Sequence, residues 1–306
     1  MSAETLRFGW WNTGLVPRGT YEFRESRMSL AEAVVKRLLV EEVDLLVLGE
    51  VNPPTADRFR QSCVDLVDRG VFVEEEPRLG VALLYDRTKV QIEDCVSVSA
   101  VSFGQQRDAA WRFTLRVGAA RTPMDLYVVH WPSRMVDTQR TMRGRLGDMI
   151  REDARGRDAT RGSRFVLVIG DFNDEPFDES VAFGLESTRD RWLARQRKAL
   201  FYNPSWRLLG HPTPHRIGAP SEPAPAGSYY FKSPHSTRWL SFDQLLVSAE
   251  FLDGEWQIEE SKVAVWGTDL LLGEKGTMLQ KFDHLPLLGE VARCVRMQTD
   301  GGSSDG

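Results

Sequence analysis

Residues 165–175, FVLVIGDFNDE, run from an unbroken apolar stretch straight into a polar end. Phe165 to Ile169 is too short for a helix and reads as a strand buried on both faces, with Gly170 as its punctuation and Asp171 as the first polar group beyond it. Upstream, Met142 to Ile150 carries helical spacing, so the segment 137–169 gives helix, loop, buried strand, acidic residue. The same order recurs at 29–48, where Leu30, Val34, Leu38 and Leu39 share one helix face and Leu45 to Leu48 forms the buried run ahead of Glu50. Leu6 to Trp11, Val81 to Tyr85, Leu126 to Val129, Leu245 to Val247 and Leu285 to Leu288 are further strand candidates, and a third helix is expected over Val181 to Leu200. Strands outnumber helices, and helix–strand alternation is clear at only two places. The pattern predicts an α+β fold of mixed sheets packed on one another with helices outside.

The composition allows such a core. The chain has 306 residues, 42% of them hydrophobic, with nine Trp and fifteen Phe, which excludes a mostly disordered polypeptide. A single domain is expected over 1–295, with 296–306 as a disordered tail. Seven prolines between Asn203 and Ser236 predict a long loop there. Cys63, Cys95 and Cys294 lie far apart with no C-x-x-C spacing, arguing against a disulfide framework or structural zinc. The first residues lack a basic stretch followed by an apolar core, and no apolar run is long enough to span a bilayer, so no membrane insertion and a cytoplasmic, reducing setting are expected. With a net charge of −5, a polyanionic partner must be met by a local basic patch or a bound cation.

Polar clusters punctuate these runs: Asn12 after FGWW, Glu50 and Asn52 after LLVLG, His130 in YVVHWPSR, Asp171 and Asn173 in GDFND, Asp243 in SFDQLLVS, and Asp283 with His284 in FDHLPL. Singly, each reads as a turn residue or helix cap. Together they form a chemical set. Glu50, Asp171 and Asp283 are hard oxygen ligands suited to Mg²⁺ or Mn²⁺. Asn52 and Asn173 can donate to phosphate without adding negative charge, His130 and His284 can move protons or meet transition-state charge, and Asp243 can fix the tautomer of one of them. That inventory describes phosphate-ester hydrolysis.

On FGWWN, GE-x-N, HWPSR, GDFND and DHLPL, in that order, the chain resembles the endonuclease/exonuclease/phosphatase superfamily from about Leu6 to Val291. The resemblance implies a four-layer α/β/β/α sandwich and a divalent cation. It implies that Asn12 places phosphate and metal, that Glu50 ligates the metal with Asp283 and Asp171 as further ligands, and that Asp171 and Asn173 meet the attacking water and the phosphate oxygens. His284, held by Asp243, is similar to the family's general base or transition-state clamp. His130 is similar to the nuclease histidine that stabilises the phosphorane or protonates the leaving oxygen. Two departures stand out: Phe282 occupies a place where the family often has Ser, and His130 stands where the abasic-site branch usually has Asn, which points away from a repair enzyme.

A nucleic-acid substrate is expected from two basic stretches. Arg140 to Arg164 holds eight arginines against four acids, and Asn203 to Leu240 places Arg207, Arg216, Lys232 and Arg238 among Trp206, Tyr229, Tyr230, Phe231 and Trp239. The second mixture suits phosphate contacts plus base stacking, with Trp206, Tyr230, Arg216 and Arg238 as substrate-binding candidates. The bland alternatives are a solvated helix face and a loop pinned by its own aromatics. Three functions follow: a metal-dependent DNA or RNA endonuclease, a phosphatase or phosphodiesterase of a small or lipid phosphate, and an inactive binding module.

Overall fold

The computed structural model describes residues 4–15, 21–63, 69–74, 79–102, 105–120, 122–135, 141–161, 165–211, 214–218, 224–234, 236–273, 276–279 and 282–294. The expected tail at 296–306 lies outside them. In chain order come β1 (Thr5–Asn12), α1 (Tyr21–Arg37), β2 (Leu45–Gly49), α2 (Pro53–Ser62), β3 (Arg69–Val73), β4 (Ala82–Asp86), β5 (Val90–Ser102), β6 (Gln105–Val117) and β7 (Met124–His130). These are followed by α3 (Thr141–Arg161), β8 (Phe165–Asp171), β9 (Ser187–Thr188), α4 (Arg191–Gln196), β10 (Phe201–Tyr202), β11 (Tyr229–Tyr230), β12 (Trp239–Leu240), β13 (Asp243–Ser248), β14 (Trp256–Ile258), β15 (Ala264–Val265) and β16 (Leu287–Arg293).

Two mixed sheets stack. One runs β14-β16-β1-β2-β4-β3, with β15 against β16, and the other runs β5-β6-β7-β8-β13-β10-β9. Strand alternation builds the layers. Leu6, Phe8 and Trp10 of β1, Leu45 and Val47 of β2, and Phe165, Leu167 and Ile169 of β8 meet between the sheets. Leu46 and Leu48 turn outward to Val34, Val35 and Leu38 on the α1 side, while Val166 and Val168 turn outward to Leu146 and Ile150 of α3. Helices therefore cover both outer faces, giving the α/β/β/α sandwich, and strands buried on both sides explain the continuous apolar runs. Gly170 sits at φ +149°, where an added Cβ would lie 1.9 Å from the Val129 carbonyl oxygen, so only glycine lets β7 and β8 run this close.

Two expectations change. Val181 to Leu200 is not one helix: a π-type turn at Ser180–Gly184, the short β9 and α4 share it, because Glu186 takes a positive φ and Asp190 caps a new helix start at the Trp192 and Leu193 amides. The proline-rich stretch begins with a 3-10 turn, Pro204–Leu208, whose first residue is the position where proline costs nothing, and it also holds β11. Pro53 and Pro54 likewise open α2, capped by Asn52. The β5–β6 hairpin and α2 were not legible in the sequence. No helix among the described residues is long and apolar enough to cross a membrane.

Candidate active site

Five of the expected side chains are placed by strand ends at one edge of the sandwich. Asn12 closes β1, Glu50 follows β2, His130 closes β7, Asp171 closes β8 and Asp243 opens the antiparallel β13. Register does the alignment: His130 stands opposite Asp171 on one side and Asp243 opposite Asp171 on the other, so three neighbouring strands bring them into one row. His284 reaches this row from the approach to β16, its carbonyl held by the Trp11 indole N–H at 3.1 Å. Glu50 and Asn173 both adopt left-handed backbone, φ +54° and +51°. For Glu50 that conformation is costly, the kind of strain that persists where a side chain must be aimed.

The atoms form two connected groups. His284 Nδ1 lies 2.8 Å from Asp243 Oδ2, and the other Asp243 oxygen accepts the Trp10 indole N–H at 2.6 Å. His284 Nε2 therefore faces the cleft, 3.8 Å from Asp171 Oδ2. The Asn12 amide donates to the same Asp171 oxygen at 3.1 Å and to Glu50 Oε1 at 3.5 Å, so one amide bridges the two acids. The Asn173 backbone N–H donates to Asp171 at 2.8 Å. His130 donates from Nδ1 to the Leu79 carbonyl at 2.7 Å, turning Nε2 toward Glu50 at 4.0 Å.

Electrostatics follow from burial. Desolvation pushes the Asp171 carboxyl up, with Asp243 adding to it and the two histidines opposing. Burial pushes His284 down, but Asp243, Asp171 and Asp283 outweigh it and raise the imidazole to about 10. Burial, with Asp283 and Asp171 nearby, pushes the Tyr229 phenol up to about 12. Among the described residues no lysine or arginine pairs with Glu50, Asp171 or Asp283. Asp171, Asp243 and His284 could themselves approach a common ion, all within 4.8 Å of one another. Both Asp243 oxygens are already engaged, however, so the open coordination space lies on the Glu50 side of Asp171.

These groups line a cleft of about 1050 Å³. Asn12, Glu50, Asn52, His130, Asp171, Asn173, Asp283 and His284 all face it. Asn52 has a second job that limits the first: its side-chain oxygen caps α2 by accepting the Thr55 N–H at 2.9 Å. One Asn173 amide hydrogen is likewise committed to the Trp131 carbonyl. The four loop candidates lie elsewhere. Tyr230 is buried edge-on against Trp239, and its hydroxyl accepts from Arg238, so neither offers the expected contact in the cleft. Arg216 is exposed outside it, and Trp206 packs against Phe177 and Arg189. Three α3 arginines are committed to ion pairs, Arg143 with Asp174, Arg157 with Asp125 and Arg155 with Glu186, and the first two are buried, so this part of the stretch is neither a free basic patch nor a solvated helix face.

The sequence pointed one residue aside from the aromatics that do reach the cleft. Tyr229 and Phe231 share the strand face opposite Tyr230, and with Phe242 they form the wall beside His284. Tyr229 and Phe242 stack at 5.2 Å and 13°, and Arg134 lies 4.7 Å over the Phe242 ring. Strand alternation through β11 was the available signal.

The sequence matches the Endonuclease/Exonuclease/phosphatase family over residues 74–282. No curated protein matches it in sequence. Among solved structures it is similar to D. rerio TDP2 complexed with single strand DNA product, with 12% identity, 94% of this chain and 98% of that chain covered, and a TM-score of 0.60. It is also similar to the human Nocturnin catalytic domain with bound sulfate, with 15% identity, 96% of each chain covered and a TM-score of 0.61. A Bacteroides thetaiotaomicron mannosyl-6-phosphatase aligns at 11% identity over 94% of this chain and 99% of its own, with a TM-score of 0.59. At such identities the likeness establishes the fold alone.

Proposed function

The chain is a member of the endonuclease/exonuclease/phosphatase family, and we propose from its cleft that it is a divalent-metal-dependent phosphodiester hydrolase, an endonuclease acting on DNA. The observation that carries this reading is Asp171, set between the Asn12 amide of one sheet and the His284 imidazole at 3.1 and 3.8 Å, with Glu50 and His130 opposite. Three carboxylates without a lysine or arginine partner among the described residues fit a hard divalent cation, Mg²⁺ or Mn²⁺, which Glu50, Asp171 and Asp283 would hold. Bound there, such an ion would neutralise phosphodiester charge and offset the carboxylates.

The chain's own groups supply the rest. With only protein charges around it, His284 is an imidazolium that donates to a phosphoryl oxygen. A neutral ring instead presents Nε2 to accept a proton from water, while Asp243 holds the proton on Nδ1. Asn12 spans Asp171 and Glu50 and fixes the two acids. The donors that can meet the phosphate are therefore the Asn173 amide hydrogen not taken by Trp131 and, when the ring carries both protons, His130 Nε2. Each well-placed donor is worth roughly 3 to 4 kcal/mol as charge grows on the oxygens. A diester is favoured over a small polyphosphate because the cleft is open and aromatic-walled, with Arg107 and Arg134 as its cations among the described residues. Purified protein incubated with plasmid, single-stranded DNA, RNA and a phosphoinositide, with Mg²⁺, Mn²⁺ or EDTA, tests it. Metal-dependent nicking is expected. Phosphate release without nicking selects a phosphatase, and inertness toward all four selects a binding module.

A further inference from the structure

A second surface leads away from the cleft, and nothing in the catalytic set uses it. Arg134, on the cleft wall, donates to the Asn173 carbonyl at 3.0 Å and pairs with Asp178, so it ties the cleft to the loop that carries Phe177. Phe177 is 56% exposed, and its ring lies 6.2 Å from that of Trp206. The Arg189 guanidinium also lies against the Trp206 ring, 4.8 Å from its centroid. Three residues beyond Arg189, in the first turn of α4, Trp192 is 67% exposed. Aromatic and cationic groups thus alternate along one edge of the second sheet, where β10 and β9 end the strand order.

Charge identifies the partner. Residues 189–207 carry six cations and a single acid, Asp190, whose oxygen is occupied by capping the Trp192 and Leu193 amides. Arg191 and Arg207 pair with Glu260, and Arg195 and Lys198 pair with Asp253, but Arg189 and Arg197 form no ion pair among the described residues. In a protein of net charge −5, a local surplus of this kind offers a polyanion its foothold, and large exposed rings beside it offer stacking faces. An acidic protein or an anionic lipid surface would also use the cations, but flat rings set beside a guanidinium suit the alternating bases and phosphates of a nucleic-acid strand.

Resting on the nuclease reading above, we propose that the strip from Phe177 through Trp206 and Arg189 to Trp192 holds the flank of a single-stranded nucleic acid whose scissile phosphate lies in the cleft. Trp206 touches both Phe177 and Arg189 and acts as the pin that holds them together. Phe177 and Trp192 present the free ring faces on which bases stack, and Arg189 meets the backbone phosphate between them.

The experiment compares wild-type protein with Trp192→Ala and Arg189→Ala, both at exposed positions whose truncation leaves the fold intact. Binding of labelled DNA and RNA oligonucleotides, short ones of about four nucleotides and long ones of about twenty, is read by anisotropy in EDTA, and cleavage of both is read with Mg²⁺. Trp192→Ala is expected to weaken the long oligonucleotide about tenfold and leave turnover of the short one unchanged. Arg189→Ala is expected to flatten the dependence of log affinity on log salt by about one. Long-oligonucleotide affinity unchanged in both variants, or equal losses for short and long, overturns the strip while leaving the nuclease reading standing. Wild-type protein that cleaves no nucleic acid at either length removes both together. A loss confined to DNA or to RNA supports the strip and assigns its strand.

Discussion

Replacing Asp243 with Asn tests the imidazole assignment at a single atom. Both carboxylate oxygens are committed, one to the Trp10 indole N–H at 2.6 Å and one to His284 Nδ1 at 2.8 Å, in a fully buried position. An amide has one acceptor and one donor end. The indole can only donate, so the Asn oxygen must face Trp10 and the NH₂ must face His284. Nδ1 then becomes an acceptor and the ring proton moves to Nε2, the nitrogen that faces Asp171 and the cleft. In that tautomer His284 can no longer take a proton from water. Loss of the Asp243 charge also removes the largest influence raising its pKa, which weakens it as an imidazolium clamp. Both roles fail together, so turnover should fall by on the order of 10³ to 10⁴, as a mis-set tautomer costs elsewhere. The fold should lose only about 1 to 2 kcal/mol, since the Trp10 bond survives with a neutral acceptor. Steady-state nicking with Mg²⁺, thermal melting and nitrogen NMR of the imidazole read the three quantities. The double variant with His284→Ala should be no slower than His284→Ala alone, because the two residues act as a unit. Activity within tenfold of wild type, or a ring still protonated on Nδ1, would refute the reasoning.

Two further predictions concern the scaffold. Asp44 is buried between β1 and β2, accepting the Arg7 backbone N–H at 2.9 Å and the Lys89 ammonium at 2.7 Å. Burial pushes its carboxyl up, but Lys89 and Arg7 outweigh that and hold it below the ordinary carboxylate value. Its stabilisation is therefore complete above the unfolded value near 4 and is lost as pH falls through the lower folded value, so Asp44→Asn should cost about 2 kcal/mol at neutral pH. Chemical denaturation across that range should show the gap between the two proteins closing toward acid, and a gap independent of pH would sink the assignment. Gly170→Ala should cost on the order of 3 kcal/mol, because both the φ of +149° and the Val129 carbonyl at 1.9 Å from the new Cβ oppose it. Circular dichroism should show a melting point lowered by several degrees, and an unchanged one would mean β7 and β8 can part freely.

What the sequence made legible was whatever one strand decides alone. Unbroken apolar runs at Leu45–Leu48 and Phe165–Ile169 announced strands covered on both faces, and each such strand had to end in a residue able to meet water, which is how Glu50 and Asp171 became visible. The β5–β6 hairpin stayed hidden because β5 is an edge strand whose outward residues mix Gln, Glu, Ser and Val without a clean period. The α2 helix stayed hidden because two prolines read as breakers until Asn52 is seen capping it. Charge tallies failed for a different reason. The arginines of α3 looked like a free basic face only because their acids, Asp125, Asp174 and Glu186, stand outside the helix and are delivered by tertiary folding. The 189–207 segment is the informative contrast: its sequence surplus is partly offset by Asp253 and Glu260, yet the offset stops short of Arg189 and Arg197. A basic run in a sequence therefore says where cations are concentrated, and the folded structure decides which of them still have a charge to offer a substrate.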